Sequence, residues 1–409
     1  MPEAGELHLA AALDGAGWHP AAWREPGARP ADLFTAGYWA DLAAEAERGL
    51  LDFITIEDAL GLQAASRYGG PDDRTDQVRG RLDAVLIAAQ VATRTSRIGL
   101  VPTATTTHTE PFHVSTAIAT LDYVSSGRAG WRAQVSGRPG EAAHFGRREF
   151  PELSPGRLGD PAGLADPVVA EHVAGLFGEA ADAVEVVRRL WDSWADDAVI
   201  RDVATGRFID RDRLHYIDFE GRWFSVRGPS ITPRPPQGQP VVAALAHGPL
   251  PYRFAAAAAD VVFVTPRDAG EAGTITGQVR EAERDAGRAG PPLLVVADLV
   301  VFLDRDAGAA AGRRDRLDDL DGARYAPDAA VFTGTPDQLA ELLLDGRDAG
   351  LDGYRLRPAV LPHDLEQITR GLVPALQERG AFRRGYPDRT LRERLGLPRP
   401  ANRYPSPVA

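Results

Sequence analysis

Cysteine and lysine are both missing from these 409 residues. Without cysteine there is no disulfide, no thiolate nucleophile and no thiolate metal ligand. All 46 basic residues are therefore arginines, which excludes Schiff-base chemistry on lysine and a phosphate-loop lysine. Long apolar runs are missing too. Nowhere do about 18 apolar residues follow one another, and the opening MPEAGELHLA lacks the basic-then-apolar order of a leader. The expectation is a cytoplasmic protein with no membrane contact. The net charge is −12, and no basic patch carries interleaved aromatics, so nucleic acid is not expected as a partner. The arginines at 313, 314 and 316 are broken by Asp315 and read as a solvated helix face.

What is present suits a large buried core, since 44% of the residues are apolar. The stretch from Arg97 to Trp131 sets the pattern. Ile98 to Val101 reads as a strand buried on both faces, and Pro102 ends it. Threonines 103, 105, 106 and 107 follow in a polar turn, and Pro111 opens a helix with Val114, Ala117, Ile118 and Leu121 at helical spacing. Ala129 to Val135 begins a parallel strand after this crossover. Similar units recur. Strands are expected at 6–13, 53–56, 241–246, 261–264, 293–302 and 354–360, with helices between them. Eight strands, each followed by helix, give an α/β class chain folded as a (β/α)8 TIM barrel. It is expected to be one domain over 1–409, with insertions at about 60–81, 137–172 and 200–235 and a tail over 381–409.

Ligands of such barrels sit at the carboxyl ends of the strands, where the threonine run and Asp58 fall. A metal is not expected: His8 and His19 are too far apart for a ligand pair on strand one, and His108 and His113 are five apart. No Gly-x-Ser-x-Gly elbow follows a strand. The glycines near Gly15 are too sparse for a dinucleotide fingerprint.

The segment TATTTHTEPFHVSTAIATLDYVSSGRAGW resembles the signature of the bacterial-luciferase-like flavin-dependent monooxygenases, in their nitrilotriacetate monooxygenase branch. HPAAWR (19–24), EAERGLLDFITIED (45–58), LWDSW (190–194), Gly334-Thr335-Pro336 and TLRERLGLPRPAN (390–402) extend the likeness over nearly the whole chain. The resemblance implies a luciferase-like TIM barrel and a two-component oxygenase, in which a separate flavin reductase supplies reduced FMN. With O2 that cofactor oxygenates a small organic substrate. It implies a homodimer or homotetramer. Asp58, Thr105 and Thr106 match positions that contact the flavin ring, and Phe177, His247 and Gly248 fall at its phosphate. His19 and His144 become catalytic candidates, and Trp23 and Arg24, with Tyr68 from the long loop, substrate candidates.

Some positions depart from the family pattern. After strand five, Gly248 stands where relatives have a phosphate-binding serine, and Pro249 and Pro251 remove two backbone donors. Leu176-Phe177 replaces Arg-Tyr, Arg132 replaces Asn, and Val135-Ser136 replaces Thr-Ser. Arg253 and Arg132 are the cations that could compensate. The alternatives are an F420-dependent oxidoreductase of the same superfamily and a non-catalytic barrel with a degenerated flavin site.

Overall fold

The computed structural model describes residues 6–63, 73–151, 166–387 and 389–404. The first unit is β1 (His8–Leu13), α1 (Ala36–Arg48) and β2 (Phe53–Ile56). Thr35 caps α1 by accepting the Tyr38 N–H, and the helix stops at Gly49. α2 (Ala84–Ala92), β3 (Gly99–Thr105), α3 (Pro111–Val124) and β4 (Gly130–Gln134) follow. The excursion after β4 holds α4 (Pro139–Ala143) and runs into α5 (Pro167–Asp192), capped by Asp166. Two antiparallel ribbons come next: β5 (Val199–Asp202) with β6 (Arg207–Ile209), and β7 (Phe219–Glu220) with β8 (Ser225–Val226).

The chain then continues as β9 (Val241–Leu245), α6 (Pro249–Ala258), β10 (Val261–Val264), α7 (Ala269–Asp285) and β11 (Leu294–Leu303). α8 (Ala307–Asp321), β12 (Ala330–Gly334), α9 (Pro336–Asp348) and β13 (Gly353–Pro358) complete the sheet. A helix over 363–378, α10, contains a π turn at Ile368–Leu372, and α11 (Leu391–Arg394) lies in the tail. Eight parallel strands, β1, β2, β3, β4, β9, β10, β11 and β13, close into the (β/α)8 barrel, with β13 pairing back to β1.

Three features differ from the sequence reading. Pro102 does not end β3, because it pairs in register with Ile56 and the strand runs on to Thr105. Thr103 and Thr105 are therefore strand residues. β12 was not expected; it pairs only with the carboxyl half of β11, beyond the stretch that β10 occupies. Being short and half-buried, it lacks the continuous apolar run that marks its neighbours. Arg313 is no solvated residue: it is 5% exposed and bonds Asp364 and the Leu303 carbonyl, while Arg314 and Arg316 lie further out on α8.

Side chains alternate along each strand between the helix-covered outer core and the barrel interior. On β1, Leu9, Ala11 and Leu13 face outward into the large core while Ala10 faces inward. The lower interior is apolar, formed by Ala10, Phe53, Val101, Ala243, Phe263 and Val296. Leu391, Leu395 and Leu397 of the tail join this layer and plug the amino-terminal end of the barrel. Gly99 leaves the space: a Cβ there would lie 2.6 Å from a Leu391 methyl.

The α3 to β4 turn is held by Asp122, whose buried carboxylate accepts from the Ala129 N–H, the Gln237 N–H and Gln237 Nε2. Burial pushes this carboxyl up to about 6. The folded form keeps the proton to higher pH than the unfolded chain, whose group titrates near 3.8. Its contribution to stability is therefore full below that value and is lost as pH rises through about 6, a change of about 3 kcal/mol. Denaturant unfolding of the wild type and Asp122→Asn across pH 4 to about 7 is expected to show this slope only in the wild type.

Candidate active site

Above the apolar layer the barrel interior becomes charged. Arg132 from β4, Asp298 from β11 and Arg355 and Arg357 from β13 all occupy inward positions, and Glu57 follows β2. Glu57 Oε2 lies 3.0 Å from Arg132 Nη1, and Glu57 Oε1 accepts from Arg355 Nη1 at 2.8 Å. Asp298 accepts two bonds of 2.6 Å from Arg355 and a third from Arg357. Arg357 also donates to Asp328 Oδ1 at 2.7 Å. His247, at the end of β9, closes the far side, with Nε2 3.5 Å from Asp328 and Nδ1 2.9 Å from Thr265 Oγ1. Aromatic faces support the guanidinium groups: Phe263 lies 4.2 Å from Arg355 and Trp18 4.4 Å from Arg357.

Three arginines thus meet three carboxylates across the mouth. Burial alone would raise Glu57, but Arg132, Arg355 and Arg357 hold it below the ordinary carboxylate value. Asp298 is likewise held low against burial, by Arg355 and Arg357. Two donors stay unspent: Arg132 Nε and Arg357 Nε are buried with no acceptor among the described residues. Beside this floor, Asp14, Glu57 and Arg81 line a cavity of about 20 Å³, room for about one water.

The residues singled out from sequence are spread around the rim. Asp58 caps: its carboxylate accepts from the Ala59 N–H at 2.7 Å and from the Ala84 N–H, which starts α2, at 2.9 Å. Thr105 Oγ1 accepts the Thr107 N–H, and Thr106 donates to the Gln134 carbonyl. His19 is buried. Its Nδ1 accepts the Ala21 N–H, so Nε2 carries the proton and donates to Asp318 at 3.1 Å. Burial holds it neutral, lowering its pKa against the pull of Asp318. Asp318 Oδ1 also accepts the Tyr325 N–H, and the Tyr325 ring lies 5.0 Å from the imidazole. His19 is thus a bracket that fixes the loop carrying Tyr325.

Trp23 donates to the Asp76 carbonyl and Arg24 to that of Leu320, which ties the HPAAWR segment to the same loops. His144 is exposed at the end of α4. Phe177 packs at 5.8 Å from Phe254 of α6, and Gly248 is the N-cap of that helix, without a side-chain cap. Tyr68 lies outside the described residues. Glu57, Asp298, Arg355 and Arg357 were missed, although the alternation in Tyr354-Arg355-Leu356-Arg357 places both arginines on one strand face.

Donors of this kind would suit the acceptor-rich edge of a flavin ring, while the α6 terminus is a poor match for its phosphate. Pro249 and Pro251 leave only the Gly248 and Leu250 N–H groups there, because the Tyr252 N–H is spent on the Gly248 carbonyl. No group of three or more His, Asp or Glu among the described residues could hold a metal, and no helix among them is long and apolar enough to cross a membrane.

Residues 16–353 match the family model described as luciferase-like monooxygenase. The chain is 30% identical to N-acetyl-S-(2-succino)cysteine monooxygenase of Bacillus subtilis (strain 168), covering 98% of both. It is 28% identical to nitrilotriacetate monooxygenase component A of Aminobacter aminovorans, covering 98% of this chain and 99% of the relative. Its fold superposes on EDTA monooxygenase from Chelativorans sp. BNC1 with a TM-score of 0.79 and 25% identity, covering 96% and 99% of the two chains. With the closed barrel and its polar mouth, these matches establish that the chain belongs to the luciferase-like monooxygenase family and is a flavin-dependent oxidoreductase.

Proposed function

We propose that this monooxygenase takes reduced FMN from a separate flavin reductase and oxygenates a small organic substrate. Bound reduced flavin supplies the activation of O2. The observation that carries the proposal is the charged floor, with Arg132 Nε and Arg357 Nε unspent at the carboxyl ends of the strands. Arg132 would hold the cofactor's acceptor edge, and the Thr105 hydroxyl, which accepts from Thr107 and has no acceptor of its own among the described residues, would add a second donor. Glu57 and Asp298 fix both guanidinium groups, so these donors are already oriented. The adjoining cavity of about 20 Å³ cannot take a tricyclic ring, so a bound flavin would lie outside it, over the floor. Asp58 contributes by holding the start of α2 in place.

We place the enzyme in the cytoplasm beside its reductase, as a homodimer or homotetramer. The test pairs two assays. With reduced FMN and O2 the protein is expected to consume oxygen and form oxygenated product from relatives' substrate types. Hydride transfer from reduced F420 under nitrogen, with no turnover of reduced FMN, would overturn the assignment.

A further inference from the structure

Away from the charged floor, α5 carries an open groove of about 300 Å³, a size typical of small-molecule sites. Its floor is one face of the helix, where His172, Gly175, Leu176 and Glu179 recur at helical spacing. Trp223, in the turn between β7 and β8, forms one wall. It can lie against α5 only because residue 178 is glycine: a Cβ there would sit 2.6 Å from the indole. The second ribbon is thus a device that holds an indole over the helix.

Phe150 forms the opposite wall, edge-on to His172 at 4.9 Å and backed by His108 at 5.6 Å. Arg148 lies 5.2 Å over Phe150, forms two bonds with Glu179 and reaches the Thr107 carbonyl. Arg148 thereby ties the groove to the end of the threonine run at the barrel mouth. Gly175 is open, with nothing among the described residues within 4 Å of where a Cβ would stand. The Nε2 atoms of His172 and His108 are buried without a partner among the described residues.

Two aromatic walls over a small-residue floor suit a flat ring, which gains stacking contact at little cost in order. The charges choose among rings. Arg148 is matched by Glu179, which leaves Arg222 over the Trp223 ring against Glu149 and Glu171 at the rim. Among the described lining residues the balance is one negative charge, so a ring with a neutral or cationic substituent is favoured over an arene carboxylate.

We propose that this groove docks the aromatic portion of the substrate, a planar ring bearing a neutral or cationic hydrogen-bonding group, between Phe150 and Trp223. The identification of the ligand as substrate rests on the monooxygenase reading; binding itself is measured without flavin.

The experiment is calorimetric titration of the flavin-free protein with benzamidine, benzoate and acetamidine. Benzamidine is expected to bind saturably, and benzoate and acetamidine at least about tenfold more weakly, for want of the right charge and of a ring respectively. Trp223→Ala is expected to weaken benzamidine by about tenfold or more. Gly175→Leu, which fills the floor at a position with free space, is expected to abolish binding in a protein that melts as the wild type does. Absence of benzamidine binding, equal binding of benzoate, or binding that survives both substitutions would overturn the proposal. A protein that binds benzamidine as described but leaves reduced FMN untouched would keep the groove and sink the monooxygenase reading.

Discussion

Replacing Asp298 with alanine is expected to lower folding stability by about 3–5 kcal/mol, the loss typical when one partner of a buried ionic cluster is removed. Asp298 is 1% exposed and accepts from both Arg355 and Arg357. Without it, two guanidinium groups remain in the barrel interior with Glu57 and Asp328 as their only carboxylates among the described residues. The damage comes from stranding charge, and it has a signature. Adding Arg355→Met to Asp298→Ala is expected to recover part of the loss, because an apolar side chain of similar length needs no counter-ion there. Denaturant unfolding of the two variants and the wild type measures both numbers. If the single variant is as stable as the wild type, the charged layer is dispensable and its role as an oriented floor fails.

The second large effect is expected at the other end of the barrel. Leu391 and Leu395 enter the lower apolar layer beside Phe53, Val101 and Phe263. Truncating either to alanine opens a cavity that rigid strands cannot collapse, at about 2–5 kcal/mol each. The plug is also pinned by charge: Arg392 bonds Asp260 and the Gln239 carbonyl, and Arg394 bonds the Asp52 carbonyl. The double variant is expected to melt below either single variant. Wild-type stability in the double variant would show that the tail only rests on the barrel.

These two layers explain what the sequence made legible and what it concealed. A strand such as β10 was readable because its outward residues, Val262 and Val264, and its inward ones, Val261 and Phe263, are all apolar. A run buried on both faces stands out. β12 carries half-buried residues and pairs along one edge, so it lacked that mark. The family likeness was legible in the β3 to β4 unit, and the full-length matches agree with it.

The site was harder to read. Asp58 stood out as an acid at a strand end, yet the alternation along β2 turns Glu57 toward Arg132 and Arg355 and leaves Asp58 for the Ala59 and Ala84 amides. The resemblance makes His19 of HPAAWR a catalytic candidate, but it pairs with Asp318, 299 positions away on α8. Pairings of that range depend on how the barrel closes. Arg132 was visible as a departure; its meaning needed Glu57 opposite.

On the proposed function, the charged mouth receives reduced flavin through Arg132. Anaerobic titration with reduced FMN, on the wild type and Arg132→Met, tests it most directly. A saturable one-to-one isotherm for the wild type, weakened by about tenfold or more in the variant, is the expected result, in line with loss of a charge-assisted hydrogen bond. An isotherm that the substitution leaves unchanged, or no binding by a folded wild-type protein, would contradict it.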